Sequence, residues 1–400
     1  MLGSLLSKLA DGQRRHDERS TQLGLRYVIA DGISFLNPAH WDAIAESATV
    51  FLSRAYLTAL DAHSPVNTDQ RYAIIYQDQV PVGIVAAQIA EIGGDQLATA
   101  EEGEHAKTKL LGTLRERVLV CGNLVSSGLH GVAFADGLDP ELGWRAVAEI
   151  LYRIRRGEKL GGSIDFVLIK DLKGARFAES EVLGRYSYRP IQSDPDMVLE
   201  LDTPCSTFED YLALLTSKYR SKIKKLPKAL AKAGFVVERL DDVQSEEDAL
   251  HRLYLQVEAR APVRLATIPR GYFGAMKEAL GDRFVCSVIR KDESIVGFVT
   301  TVIDGDEAIG YYVGVDYDVN AEFPIYLVLL QRVIADGVSQ GCRKISFGRT
   351  ALEPKANLGA KPVDAHVWMR HRVPALNFLL RKLFPIIPYD EAPERNALKQ

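Results

Sequence analysis

Arg349, Thr350, Glu353 and Lys355 lie together just after the strand-like run KISF. Two cations beside a carboxylate suit an anionic or zwitterionic ligand, and the end of a strand is where open α/β sheets present ligand sites. Thr350 and Glu353 also have the spacing of a capping box, which explains those two residues but not the cations. Upstream, Tyr311 and Tyr312 sit in the run AIGYYVGVD, with Asp316 just beyond it. On a strand the two rings are expected to point to opposite faces, so that only one faces a cleft. One tyrosine as a proton donor and Asp316 as an amine ligand or base is the chemical reading; core packing and a loop-capping aspartate is the alternative. Asn320 and Glu322 are read as caps of the helix that follows.

Other residues carry weaker chemistry. Lys218, Arg220, Lys222, Lys224, Lys225, Lys228 and Lys232 fall in one helical stretch with no acidic residue between them. Such a run is either a solvated face or a surface for phosphates. His130 lies in a glycine-bearing GLHG loop, and His366 alternates with Trp368, which places those two on one strand face. These two histidines and His371 are either acid–base groups or structural. Asn123, Ser126 and Ser127 form a polar strand end able to bind substrate. Cys121, Cys205, Cys286 and Cys342 are far apart, without Cys-x-x-Cys or nearby His, so no metal site or disulfide framework is expected.

The elements that must position these groups come in two sets. A chain of 400 residues with 47% hydrophobic and 26% charged composition reads as globular and as more than one domain. With 49 basic against 53 acidic residues, its net charge of −4 argues against a dedicated DNA-binding protein. No window of eighteen uninterrupted apolar residues suggests a membrane span, and the N-terminus lacks a signal-peptide pattern, so a cytoplasmic location is expected. SRAYLTALDA followed by RYAIIYQDQVPVGIVAAQIAEI parallels PRGYFGAMKEAL followed by RFVCSVIRKDESIVGFVTTVID. Tyr56 matches Tyr272, Arg71 matches Arg283 and Gly83 matches Gly297, at offsets of 216, 212 and 214 positions.

The repeat predicts a mixed α+β chain of α/β type. The expected parts are an N-terminal extension (1–24), a first domain (25–203), a basic helical linker (204–234), a second domain (235–385) and a tail (386–400). In the second copy the order reads helix, strand, strand, strand, helix, strand, helix, strand, with DYDVNAE as a polar loop. The first copy repeats it, with a polar insertion after residue 93. Pro227 is expected to bend or break the linker helix.

This duplicated order, with SKYRSKIKK (217–225), GYYVGVDYDVNAEFPIY (310–326) and FGRTALEPKANLGAKP (347–362), resembles the FemAB-like tandem branch of the GNAT superfamily, including bacterial peptidoglycan-biosynthesis-like N-acyltransferases. The resemblance covers roughly residues 25 to 385. It implies two GNAT-like domains, each a twisted mixed sheet flanked by helices, and transfer of an acyl group to an amine within the gap between the fourth and fifth strands. It also brings Asn357 into the motif with Arg349, Thr350 and Lys355.

By this resemblance the leading expectation is an N-acyltransferase using an acyl thioester, with acyl-CoA as cosubstrate and no metal. The acceptor is an amine of a small molecule, peptide or cell-envelope precursor. Tyr312, Asp316 and Glu353 are the catalytic candidates; Tyr311, Asn123, His130, His366, Arg349, Thr350, Lys355 and Asn357 bind substrate; Lys218, Arg220 and Lys222 hold the donor's phosphates. The second copy, where the motifs are densest, is expected to carry the principal cleft. Neither copy shows the Arg/Gln-x-x-Gly-x-Gly/Ala pyrophosphate loop of acetyl-CoA enzymes: the second has DYDVNAEFP there and the first SSGLHGVAFADGLDP. That departure keeps a FemAB-like aminoacyl-tRNA donor open, with tRNA as a partner. A duplicated protein that binds ligand without catalysis is the third reading.

Overall fold

The computed structural model describes residues 21–93, 115–261, 263–377 and 395–399. The N-terminal extension up to residue 20, the polar insertion at 94–114 and residues 378–394 lie outside the described residues.

Copy one runs β1 Arg26–Ala30, α1 Pro38–Ala45, α2 Arg54–Ala62, β2 Thr68–Gln77, β3 Val80–Gly93, β4 Arg115–Cys121, β5 Val132–Phe134, α3 Pro140–Gly157, β6 Phe166–Leu172, α4 Gly174–Glu179 and β7 Arg189–Glu200. Two connecting helices follow, α5 Phe208–Leu214 and α6 Ser217–Lys232. Copy two runs β8 Phe235–Leu240, α7 Glu247–Glu258, α8 Tyr272–Leu280, β9 Phe284–Lys291, β10 Ser294–Asp304, β11 Glu307–Val315, α9 Tyr317–Glu322, α10 Ile325–Ser339, β12 Lys344–Ser346, α11 Leu352–Ala356 and β13 Lys361–His371.

The repeat extends to backbone strain. The β2–β3 hairpin turns on Asp78 and Gln79 at φ of 48° and 69°, and the β9–β10 hairpin on Asp292 and Glu293 at 48° and 68°. Two consecutive positive φ values are what a two-residue hairpin turn requires, and both copies meet that requirement without glycine or asparagine. Helix starts are built from ordinary caps: Asn37 accepts from the His40 amide with Pro38 next to it, and Ser53 accepts from the Tyr56 amide.

All strands join one sheet in the order β1-β2-β3-β4-β6-β13-β7-β12-β11-β10-β9-β8, with β5 on β3. The final strands are exchanged between copies. β13, the end of copy two, pairs antiparallel with β6 of copy one, and β7, the end of copy one, pairs antiparallel with β12 of copy two. The two exchanged strands pair with each other, so hydrogen bonds run unbroken across the repeat boundary.

Packing follows the same plan. One core draws Trp41, Tyr56 and Tyr72 from copy one together with Tyr272, Phe273 and Phe298 from copy two. A second core packs α10 and α6 of the copy-two side, through Leu329, Val333, Ile223 and Leu230. A third packs α3 of copy one through Trp144, Val147, Ile150 and Leu151. All four cysteines are free and buried in these layers.

Two local expectations change. The DYDVNAE segment is the helix α9, because the Asp316 side chain accepts from the Asp318 and Val319 amides and nucleates a turn. Pro227 does not break α6, which continues through it; the chain instead breaks between α5 and α6, where Leu215 bridges to Leu398. Proline removes one donor, but Ile223 and Leu230 on either side of it are buried, and that packing holds the helix together.

Candidate active site

β11 and β12 pair in parallel only from Glu307↔Lys344 to Ile309↔Ser346. Beyond that point β12 ends, while β11 continues along β10 to Val315, and a wedge opens between them. The wedge holds a cavity of about 340 Å³. Gly310, Tyr311, Tyr312 and Val313 of β11 form one wall, and Tyr326, Leu329, Leu330 and Val333 of α10 form another. Phe347, Gly348, Arg349, Thr350 and Lys355 close the polar end, and Ser127 reaches in from copy one.

The tyrosines depart from simple alternation. The β10–β11 register shifts between Val299↔Val313 and Thr301↔Gly310, so Tyr311 and Tyr312 together oppose Thr300. This is a β-bulge, which turns both rings to one side of the strand. Their centroids are 4.7 Å apart, and both pack on the core shared by the copies. The expectation that they face opposite ways is therefore corrected. Both hydroxyls are already engaged. Tyr312 donates to the Val125 carbonyl at 3.0 Å. The Tyr311 hydroxyl bonds to the Tyr272 hydroxyl and, at 3.1 Å, to that of Tyr56. Burial raises the phenols of Tyr311 and Tyr312 well above their ordinary value.

The cations converge and the carboxylates do not. Lys355 is 2% exposed, donates to the Gly348 carbonyl at 3.1 Å, and is lowered by burial to about 8 while Asp196 opposes the shift. Arg349 pairs with the buried Asp171 of copy one. Burial lowers its guanidinium from the ordinary value, which still leaves it charged at neutral pH. Thr350 is exposed at the cavity rim and is not a helix cap; that position is Ala351, held at φ 54° with no side-chain cap. Glu353 faces solvent and pairs with Arg395 at 3.4 Å. Asp316 is spent on capping α9, as described above, and Asn357 ends α11. Neither lines the cavity.

The remaining candidates lie elsewhere. His366 stacks on Phe177 at 3.8 Å, on the copy-one side of β13, with Trp368 against the same ring. His371 accepts from the Val373 amide at 3.0 Å. Lys218 and Lys222 are exposed on α6 and Arg220 is half-buried; none of them lines the cavity. Among the described residues no His, Cys, Asp and Glu gather as a metal set.

The N-terminus of α10, where the resemblance would put a donor's pyrophosphate, is filled by the chain itself. The Ile325 amide donates to the Phe323 carbonyl at 2.6 Å, that of Tyr326 to Asn320 Oδ1 at 3.0 Å, and that of Leu327 to the Pro324 carbonyl at 3.2 Å. Copy one repeats the seal, with Asp139 accepting from the Glu141 and Leu142 amides at the start of α3.

The sequence profile of the acetyltransferase (GNAT) domain matches residues 217–372, which contain every lining residue of the wedge except Ser127. Residues 217–372 thus match a GNAT acetyltransferase domain. Two solved structures extend the likeness to the tandem arrangement. FemX has TM-score 0.56 at 11% identity, with 87% of this chain and 98% of that one covered. A tandem GNAT protein from the clavulanic acid biosynthesis pathway has TM-score 0.50 at 13% identity, with 88% and 99% covered. The chain thus carries a FemAB-like tandem GNAT fold. No curated protein matches its sequence.

In the tandem GNAT frame the two copies can be compared at one matched position. Ala86 of β3 corresponds to Thr300 of β10, at the same offset of 214 that relates Gly83 to Gly297. Opposite Thr300 stand two bulged tyrosines; opposite Ala86 the chain leaves the sheet altogether, from Gly122 to Gly131, and rejoins β3 as β5. His130 and Asn123 belong to this excursion. His130 is buried, with Nε2 2.7 Å from the Ser127 carbonyl and Nδ1 3.2 Å from Thr49 Oγ1, and burial lowers it to about 3. Asn123 donates to the Tyr56 hydroxyl at 2.5 Å.

Four participants escaped sequence reasoning: Lys170 and Asp171 at the end of β6, and Tyr56 and Tyr272. The tyrosines had a visible signal, since they are matched positions of the repeat that converge on Tyr311. Lys170 and Asp171 had none, because a charged pair ending a strand reads as solvent-facing. Lys170 is instead largely covered, and that burial lowers it to about 7.

Proposed function

We propose that the chain transfers an acyl group to an amine in the copy-two cleft. The open wedge between β11 and β12, with two cations at its polar end, carries this reading. In direct transfer a neutral amine attacks the acyl carbonyl, the C–N bond forms as the bond to the leaving oxygen or sulfur breaks, and one proton moves from the nitrogen to the leaving group. Lys355, lowered to about 8, is suited to take that proton and pass it on. Arg349 supplies positive charge where the oxyanion develops. Holding the reactants in the wedge supplies much of the rate, so a covalent nucleophile is unnecessary.

The donor is an aminoacyl ester of tRNA in this reading. The sealed N-terminus of α10 supports it, because the amides that would cradle a CoA pyrophosphate already have partners. Lys218, Lys222, Lys225, Lys228 and Lys232 are all exposed on α6 and form a surface for a polyphosphate backbone. The second reading, acyl-CoA as donor, is favoured by the acetyltransferase profile match. Acceptors of the cell-envelope precursor type suit both.

Assays of the full chain with charged tRNA and with acetyl-CoA, against peptide and nucleotide-linked peptide amines, separate these. Transfer dependent on charged tRNA is expected. Thiol release from acetyl-CoA on addition of an amine would replace that donor, and binding without turnover of either would replace the enzyme by a ligand-binding protein.

A further inference from the structure

We propose that the copy-one excursion at residues 122–131 is a wall of the copy-two cleft, that Ser127 at its tip contacts the acceptor substrate, and that Lys170 positions it. The proposal rests on the copy-two wedge being the site of transfer.

The excursion is fixed on every side. At its neck the Gly122 amide donates to the Ala86 carbonyl at 3.0 Å, and the Ala86 amide to the Gly131 carbonyl at 2.8 Å. The neck is so narrow that a Cβ on Gly131 would lie 2.3 Å from the Gly122 nitrogen. Four of the loop's carbonyls are then taken up by side chains. Lys170 Nζ donates to those of Asn123 at 2.6 Å and Ser126 at 2.5 Å, Tyr312 holds that of Val125, and His130 faces that of Ser127. The Leu124 amide donates to Gln88 Oε1 at 2.7 Å, and the Gly128 amide to Asp171 Oδ2 at 2.9 Å.

Ser127 is the exception. Asn123, Val125, Ser126 and His130 are buried, while Ser127 is exposed, lines the copy-two cavity and has a hydroxyl with no hydrogen bond among the described residues. A rigid support that leaves one free hydroxyl in a cleft is the arrangement a recognition contact requires. A hydroxyl both donates and accepts, so it fits a polar, hydrogen-bonding part of the acceptor, such as an amide or sugar hydroxyl.

Lys170 is the centre of the support. Its ammonium bonds two loop carbonyls and lies 3.0 Å from Asp171, and Asp171 in turn holds the Gly128 amide and pairs with Arg349. Asp171, not Lys170, is the direct partner of the cleft cation. Lys170 acts through the loop and Asp171 and does not line the cavity.

The test combines amide hydrogen exchange with steady-state kinetics on the full chain, using whichever of charged tRNA or acetyl-CoA the wild type turns over. In Lys170→Met the Val125 and Gly128 amides should exchange at least about tenfold faster, with Val299 and Val313 of the β10–β11 ladder unchanged. KM for the acceptor should rise about tenfold with kcat within about twofold, because the wall is displaced and the reacting groups are not. Lys170→Arg, which keeps the charge and the donors, should restore the exchange pattern and most of the KM. Ser127→Val should raise KM without altering loop exchange. Unchanged loop exchange in Lys170→Met would overturn the positioning role, and loosened exchange with unchanged KM would overturn the wall. A wild type inactive with both donors would refute the cleft reading on which this rests, while the exchange arm would still decide whether Lys170 holds the loop.

Discussion

The clefts of the two copies occupy the same place in the repeat and have opposite contents. In copy two, β11 bulges by one residue opposite Thr300 and the wedge beside it stays open. In copy one the chain opposite Ala86 is extruded as residues 122–131, and Lys170 of β6 is drawn in beneath it to satisfy the carbonyls. On the proposed reading, one copy holds the site of transfer and the corresponding place in the other is taken by a loop that walls it. The difference lies in the length of chain opposite one matched position, a one-residue bulge opposite Thr300 and the 122–131 loop opposite Ala86.

The largest expected effect breaks the open cleft. Lys355→Met should lower kcat/KM by roughly 10²- to 10³-fold, the range for loss of a positioned acid–base group, with the fold retained. If Lys355 works as a neutral base, wild-type kcat/KM rises with pH through about 8, and this limb disappears in the variant. Linkage gives an independent check. The folded amine is lowered from 10.5 to about 8, so between those values the unfolded chain binds more protons and stability rises with pH. The variant should flatten that rise in a chemical-denaturation series.

Arg349→Ala comes next, since it removes the cleft cation and leaves Lys170 as the one charged partner of Asp171 among the described residues. A loss of about 2 kcal/mol or more in stability is expected alongside reduced turnover, because a buried carboxylate loses a charged partner. Restoration of stability by Asp171→Asn in the same chain would identify the under-paired carboxylate as the cause. Tyr312→Phe deletes the bond from copy two to the Val125 carbonyl and should lower stability by about 1 kcal/mol. Hydrogen exchange should then report faster opening of the 124–128 amides. Glu353→Ala should be the mildest, within about 0.5 kcal/mol in stability and near wild type in turnover, because the side chain faces solvent and meets only Arg395. A large loss of activity there would return Glu353 to the reacting centre.

Much of the architecture was legible because repeats and periodicity are local signals. The helix–strand order of each copy follows from runs of a few residues, whereas the family resemblance implied the wedge of copy two. The strand exchange was not, since the pairing of β7 with β12 and β13 with β6 joins segments more than a hundred residues apart and depends on nothing in either strand alone. For the same reason Tyr311 and Tyr312 were assigned opposite faces: a bulge is a property of register with Thr300, invisible in the strand's own sequence. Asp316 and Glu353 looked catalytic by proximity in sequence, yet one is consumed by a helix cap and the other points outward. Arg349 and Lys355 converge because the chain leaving β12 folds back at the strained Ala351.

The most direct test is to fill the copy-two cavity and measure transfer. Val313→Trp places a large side chain in the wedge from β11, and acyl transfer to an amine, with the donor that serves the wild type, should fall at least about a hundredfold while thermal unfolding stays cooperative. Wild-type transfer rates from the filled protein would place the reaction outside this cleft and contradict the account.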